Sequence, residues 1–354
     1  MGRPLPFVPE DLHRNGRARD AAVISLCRAA VATAIQAYDG VTSASDYARK
    51  MWSDDHGASL ILRAAVAPAT LTNTAALTQI GLAFLDVLTP MSAGADLLNR
   101  GLRLNFDRAA QLNVPGITLP TAGFVAEGAP VPVPQPTTSA TVLTPHKLAA
   151  ILVLTNEMLR SPSAEALVRQ ALVEATGPAL DAALFGTAAA TAAQPAGLRY
   201  NIAGLTPAAA GSAKSEVLVD DLQQLAVAIA PVSGNNNVVL VASPDASAAL
   251  MMRLPGGVEW PVLTSSSLAA RTVIAIATNA VVSAIDGAPV VDASRASAVH
   301  RETVPQDITG GTPSPAVPVT SIFQTDETGL RLRWPVTWAL RDNRGLAWMT
   351  AVNW

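Results

Sequence analysis

Four histidines, one cysteine and the neighbouring acids at 54–55 and 220–221 are the first candidates for chemistry in this chain. His13, His56, His146 and His300 are scattered, each in polar or loop-like sequence. A metal centre built from them would need convergence from distant parts of the chain. Asp54-Asp55-His56 has the composition of a ligand cluster, but equally that of a solvated helix end or turn, and it is read as the latter. Asp220-Asp221 is expected to cap the helix that follows it, because carboxylates are favoured at a helix N-terminus. Cys27 is the only cysteine, which excludes an internal disulfide and a cysteine-cluster metal site. Ile24, Val31, Ile35 and Tyr38 surround it at helical spacing, so it reads as a small buried hydrophobe and not a reactive thiol. The phosphate-cradling patterns GxxxxGKS/T and GxGxxG are absent, as are HExxH and GxSxG. Aromatic residues do not interleave with basic ones in the manner of a base-stacking platform. No catalytic, cofactor-binding or metal-ligating residue is assigned, and no cofactor is expected. The expectation is a structural protein, not an enzyme.

The elements that would carry such residues are built from an unusual palette. The 354 residues suffice for a large core and for two domains. Half are hydrophobic, yet only 4% are aromatic and 14% charged, so packing must rest on alanine and branched aliphatics. A net charge of -3 gives no global attraction to nucleic acid or to anionic membranes. Lys50, Lys147 and Lys214 are the only lysines among 24 basic residues, and the arginine remainder suits fixed bidentate contacts. No stretch is long and apolar enough to span a membrane. Ala21 to Ala37 is interrupted by Arg28 and reads as an amphipathic helix of a protein made in a cytoplasm.

Met1 to Asp20 is polar and is expected to be a mobile or partner-dependent arm, followed by a helix from Ala21 to Tyr38. Ser45 to Ala64 can carry another, with Asp46 as cap. Thr72 to Leu88 places Leu77, Ile80, Phe84 and Leu88 on one helical face. Leu97 to Phe106 and Ile117 to Leu119 read as short extended pieces separated by the turn signal Asn113-Val114-Pro115-Gly116. Ser163 to Phe185 reads as a helix kinked at Gly177-Pro178 and stopped by Gly186. A mixed α/β module follows: a helix from Val219 to Ile229, a buried strand from Val238 to Val241, a helix from Pro244 to Met251, and strands over Thr272 to Ala277, Ala280 to Ile285 and Ala288 to Val291. Pro305 to Pro318 reads as a surface loop. Gly329 to Ala339 and Gly345 to Val352 read as a hairpin turning at Arg341-Asp342-Asn343-Arg344, with Leu330, Leu332, Trp334, Val336 and Trp338 on one apolar face.

The least ordinary stretch lies between Gly123 and Ala150. Pro130, Pro132, Pro134 and Pro136 occupy every second position, with Pro120 just before them. Proline has no amide donor and a fixed φ, so this cannot be a central strand. A stiff extended arm is expected, with open polar groups that can lie across another subunit. The return run Ala140 to Leu154 favours a long two-stranded hairpin loop over a linker.

These residues carry a family resemblance. Phe124-Val125-Ala126-Glu127-Gly128-Ala129-Pro130 resembles the start of the extended loop in major capsid proteins of tailed double-stranded-DNA phages, the Hong Kong 97 type. Phe124 stands where tryptophan is common. Thr144-Pro145-His146-Lys147-Leu148-Ala149 resembles the loop's return strand, and Leu154-Thr155-Asn156-Glu157-Met158-Leu159 the lead into the long spine helix. Leu184-Phe185-Gly186 with Gln194-Pro195-Ala196-Gly197-Leu198 resembles the close of that segment, and Phe323 to Arg331 with Trp338 to Arg341 the last strands. The ordered set covers about Leu71 to Trp354.

The resemblance implies an α+β Hong Kong 97-like capsid fold. Residues 1–65 would be a helical N-terminal extension, 66–118 an N-terminal arm and 119–155 the extended loop. Residues 156–215 would form the peripheral domain with its spine helix, 216–314 the axial domain, and 315–354 the return strands of the peripheral domain. It implies a homo-oligomer of hexamers and pentamers that closes an icosahedral shell around packaged DNA, touched by weak non-specific contacts. The protein would reside in the virion after assembly in the host cytoplasm, with no membrane partner. Portal, scaffold or protease, and a cement protein, are the implied assembly partners. The inter-subunit contact is expected from Phe124, Glu127, Pro130, Pro132, Pro134, Pro136 and Lys147. Some members of the family weld subunits through a lysine near the loop tip; Pro132 to Thr141 holds no lysine, and Lys147 falls on the return strand, so no such isopeptide crosslink is expected. Relatives often lose an N-terminal scaffolding segment to a protease, and either earlier removal or a separate scaffold accommodates the modest extension here. An encapsulin-type compartment, a hydrolase or transferase with a dispersed site, and a tail structural protein remain as alternative readings.

Overall fold

Good helix formers and the lack of proline between Pro9 and Pro68 let the first helix start earlier than the polar composition suggests. In the computed structural model α1 runs Glu10–Asp39, so the second half of the expected mobile arm is helical. The structure describes residues 10–64, 84–106, 109–116, 125, 140–161, 163–209, 214–235, 237–254, 258–287, 289–300 and 319–354. The chain divides into two units. One holds Met1–Val87, Leu148–Thr176 and Gly287–Trp334; the other holds Leu88–Lys147, Gly177–Asp286 and Pro335–Trp354. The mixed α+β class is as expected.

In the first unit α1 packs with α2 (Ala44–Met51) and α3 (His56–Ala64). Leu26, Ala29, Ala30, Ala32 and Ala34 are buried, and their small size lets the helices approach closely. Ser43, and not Asp46, caps α2: its Oγ accepts the Asp46 N–H. Cys27 is buried as expected, and burial pushes its thiol up to about 12. Asp54 and His56 are exposed at a turn that opens α3, as read, but Asp55 is not solvated. The Asp55 side chain is only 7% exposed, and it accepts hydrogen bonds from Ser25 Oγ (2.5 Å), Arg28 Nη1 (2.9 Å) and the Ala58 N–H (3.0 Å). It anchors the start of α3 to α1.

The strand β12 (Glu327–Leu340) buries Leu330, Leu332, Trp334, Val336 and Trp338, so its apolar face is as read from the alternation. Phe84 meets Trp334 edge-on at 5.2 Å. Along Gly329–Arg333 the strand pairs antiparallel with β9 (Val290–Ser294), and along Val336–Leu340 with β8 (Val281–Ile285). Pro335 falls between the two registers, where a missing N–H costs no ladder bond. The strand β4 (Lys147–Thr155) closes the order on β12, and β10 (Ala298–His300) pairs with β11 (Val319–Ser321) as a separate ribbon.

In the second unit Ser92 caps α4 (Ala93–Arg100), which overturns the extended reading of Leu97 to Arg100; β1 (Leu102–Asn105) follows and pairs parallel with β8. The cap is fixed from afar. Asp181, 3% exposed, accepts from Ser92 Oγ (2.5 Å), Ser265 Oγ (2.6 Å) and the N–H groups of Gly94 (2.8 Å) and Ala93 (3.2 Å). Asn113-Val114-Pro115, taken for a turn, is instead β2 (Leu112–Pro115), paired with β3 (Ala140–Leu143). The short α5 (Asn156–Arg160) precedes the long α6 (Ala164–Leu184), which lies where a helix is expected and continues through Gly177-Pro178.

A second sheet has the order β13-β7-β5-β6: β13 (Leu346–Met349), β7 (Val273–Ala277), β5 (Val238–Ala242) and β6 (Val262–Thr264). Helices α7 (Lys214–Ser233) and α8 (Pro244–Arg253) cover it with Leu218, Leu225, Ile229 and Leu250. Thus β12 and β13 are not a hairpin. They join different sheets, because Gly345 crosses so close to Ala280 that an added Cβ would lie 2.2 Å from the Ala280 Cβ. Asp220-Asp221 does not cap α7 either. The helix starts at Lys214, and Asp221 sits inside it, buried, accepting from the Ala208 N–H (2.7 Å) and the Trp354 indole N–H (2.9 Å). The stretches 117–119, 72–83 and 305–318 lie outside the described residues.

Asp181→Asn would put an amide NH₂ among four donors; a loss of about 2–4 kcal/mol in urea unfolding is expected. Burial raises the Asp55 pKa, but its hydrogen bonds and Arg28 outweigh that and hold it below the usual aspartate value. Its contribution is therefore complete above the unfolded aspartate pKa of about 3.9 and is lost as pH falls through the lowered folded value. Asp55→Asn should flatten that acid limb, read as helical circular dichroism against pH.

Candidate functional site

The expected contact residues divide sharply. Phe124, Glu127, Pro130, Pro132, Pro134 and Pro136 lie outside the described residues. Lys147 is described: it is exposed at the first position of β4. What the structure does define is the base of the loop they belong to.

That base is the β2/β3 ribbon, in the register Leu112↔Leu143, Asn113↔Val142, Val114↔Thr141 and Pro115↔Ala140. Alternation sends Val114 and Leu143 inward, onto Phe106, Val282 and Ala284, while Val142 faces out at 52% exposure. Two side-chain bonds tie the ribbon to the end of β12. Arg341 Nε donates to the Pro115 carbonyl (3.1 Å), and Thr141 Oγ1 donates to the Leu340 carbonyl (3.3 Å). Pro115 has no N–H to offer a neighbour, but its carbonyl is used.

The corner Thr144-Pro145-His146 returns the chain into β4. The His146 ring lies with Nδ1 2.9 Å from the Thr144 carbonyl and 3.4 Å from Thr337 Oγ1, and with Nε2 3.3 Å from the Thr191 carbonyl. In the sequence it stands only as one of four scattered histidines. Its neighbours identify a clip that holds the corner, and no local signal announced the distant partners. The Trp338 indole N–H donates to the Ala196 carbonyl (3.0 Å). Gly197 is required close by: a Cβ there would meet the Gly186 carbonyl oxygen at 2.1 Å.

The strand β4 closes the order of its sheet, and Lys147, Ala149 and Ile151 alternate as exposed residues along it. Ile151 is 59% exposed. Other large apolar side chains stand out singly or in pairs: Phe323 before β12, and Met251 with Met252 at the end of α8. Exposed apolar side chains on a sheet rim are suited to packing and strand addition, not to bond-making chemistry. His13 lies in α1, His56 begins α3 and His300 ends β10, so the histidines take unrelated places in the fold. Among the described residues no group of three or more His, Cys, Asp or Glu is placed to hold a metal ion. No helix among them is long and apolar enough to cross a membrane.

The model of the phage capsid family matches residues 86–252, a little under half of the chain. The capsid polyprotein of Pseudomonas phage PAJU2 is 28% identical over 257 residues, covering 65% of this chain. The chain spans 37% of the length of that relative. Among solved structures, that of Mycobacterium phage Bobi is 17% identical with a TM-score of 0.48, covering 72% of this chain and 89% of that one. That of Microbacterium phage Oxtober96 is 17% identical with a TM-score of 0.47, covering 74% and 91%. The resemblance to phage capsid proteins carried by the loop, return-strand and closing motifs is borne out.

Two substitutions separate the inner and outer faces of this region. Leu143→Ala, in the packed base, should destabilise the isolated subunit by about 2–5 kcal/mol. Ile151→Ser, on the open face of β4, should leave subunit unfolding within about 0.5 kcal/mol of the parent and act only on association, followed by light scattering.

Proposed function

We propose that this chain is a major capsid protein, the repeating subunit of the icosahedral head of a tailed phage. The observation that carries the reading is the family match over residues 86–252, which contains the whole proline-alternating arm and its described base. The role is structural. Residues 119–155 act as the extended loop, 156–215 and 315–354 as the peripheral domain, 216–314 as the axial domain and 66–118 as the N-terminal arm.

The chemistry of the arm explains why it would grip a neighbour. In an extended chain the N–H groups of alternate residues point to opposite edges. Prolines at 130, 132, 134 and 136 delete every donor on one edge, while Val131, Val133 and Gln135 keep theirs on the other. Such an arm can join one sheet edge and cannot pass the pairing on to a further strand. Phe124, Glu127 and Lys147 would flank the contact. With no lysine from Pro132 to Thr141, the contact is non-covalent. A closed shell repeats it many times, so each instance can be weak. Portal, scaffold or protease, a cement protein and packaged DNA would be further partners of a virion assembled in the host cytoplasm.

Electron microscopy of the expressed full chain tests this. Closed, uniform shells are expected from the parent, and only capsomer-sized or smaller species from a variant lacking residues 127–138. Shells at undiminished yield from the deletion variant would remove the arm from its role. Tubes, or monomers at every salt and protein concentration tried, would remove the shell itself.

A further inference from the structure

Residues 10–64 lie outside the family-matched stretch, yet within their unit they are tied to it at two points by contacts of different kinds. The first is ionic. Arg28, on the face of α1 that meets α3, bonds Asp55 Oδ2 through Nη1 (2.9 Å) and Glu165 Oε2 through Nε (3.1 Å). Glu165 belongs to the first turn of α6, so one guanidinium links the first helix, the third helix and the long helix of the body. Its guanidinium carbon also lies over the Trp52 ring, 5.5 Å from the centroid.

The second point is at the other end of α1. The Tyr38 ring lies between two guanidinium groups, Arg160 at 4.2 Å and Arg295 at 4.6 Å from its centroid. Arg295 Nη1 also donates to the Tyr38 carbonyl (2.5 Å), an acceptor that the helix end leaves open. Its Nη2 reaches Asp326 Oδ1 (3.3 Å), and the same oxygen accepts from the Asn156 side-chain amide (2.6 Å). Asn156 is buried, and its Oδ1 accepts from Thr328 Oγ1 (2.7 Å). Asp326 holds a left-handed backbone (φ 50°), which a non-glycine residue keeps only where its surroundings insist. The relay therefore runs from the last turn of α1 to the corner where β4 becomes α5, and between the two ties α1 lies along β9. Buried alanines line α1, so the contact adds close packing to the polar ties.

We propose that residues 10–64 are a permanently seated accessory domain of each subunit, held on the body by the Arg28 and Tyr38–Arg295 ties and not by chain connectivity alone. The module thus travels with the body into any assembly, and its seat braces the β4–α5 corner in which the return strand ends. This can be read on the free subunit, so it stands or falls independently of shell formation.

The test is a cut-and-hold experiment on the full chain. A recognition site for a sequence-specific protease is inserted between Pro68 and Ala69 and cut under native conditions. The N-terminal fragment is expected to co-elute with the body on size exclusion and to part from it only in denaturant. A fragment that separates from the cut parent chain at micromolar concentration overturns the proposal. Arg295→Gln and Arg28→Gln in the cut chain should each speed release at least tenfold, while Tyr38→Phe, which keeps the ring between the two cations, should hold as the parent does. Retention by both glutamine variants at the parent rate would overturn the assignment of the ties. Far-ultraviolet circular dichroism of the uncut variants identifies any that fail to fold, and the parent result decides the main claim without them.

Discussion

The register of β12 is the constraint on which the first sheet depends. Leu330, Leu332, Trp334, Val336 and Trp338 all face inward, while Arg331 and Arg333 stand between them on the exposed face and share Asp292. A slip of one residue would turn Leu330 and Leu332 out to water and two guanidinium groups into the core. Strands β8, β9 and β4 all take their places from this strand, and β8 in turn positions β1 and the apolar patch under the β2/β3 ribbon. The register of one fourteen-residue strand thereby fixes where the base of the arm sits.

A core made largely of alanine, valine and leucine packs well but discriminates poorly between alternative arrangements, because its side chains are small and similar. Buried polar residues supply the discrimination. Asp181 holds the start of α4 and Ser265; Asp221 holds the Ala208 N–H and the last residue, Trp354; Asn156 holds Asp326 and Thr328. Each joins segments separated by more than 80 positions, except the Asp221 bond to Ala208, and each has donors or acceptors that only the native arrangement satisfies. A misdocked element would leave a buried carboxylate or amide unpaired, which costs more than a misfit between methyl groups.

Local signals are legible where one period rules a segment. The alternation in β12, the short apolar run of β5 and the Pro244 helix start are all read correctly from the chain, as is Cys27 on its alanine-rich face. Misreadings occur where a distant partner decides the outcome. Leu97 to Arg100 is helical because Asp181 secures its N-terminus, and Asn113-Val114-Pro115 is a strand because Thr141 and Val142 lie opposite it. Asp221 sits within a helix because Trp354 and Ala208 return to it. The hairpin expected at Arg341–Arg344 fails for the same reason: Gly345 allows a crossing over Ala280 that carries β13 to another sheet. His146 looks idle in the sequence because its contacts at Thr191 and Thr337 lie 45 and 191 positions away.

The same distinction bears on how copies would meet. A subunit that must stay soluble until it assembles cannot present one broad apolar face, since such a face would bind indiscriminately. Among the described residues the large exposed apolar side chains are spread over many elements, with Val142 on β3, Ile151 on β4, Met251 and Met252 on α8 and Phe323 before β12 among them. Isolated anchors of this kind hold weakly one at a time and gain strength only when geometry engages several together. On the proposed reading the proline spacing would add a second restraint, because an extended arm with donors on a single edge would stop strand pairing after one partner. In such an assembly weak anchors would set the reversibility of each contact and the blocked edge would limit its number, so order would come from closure and not from the strength of any one interface.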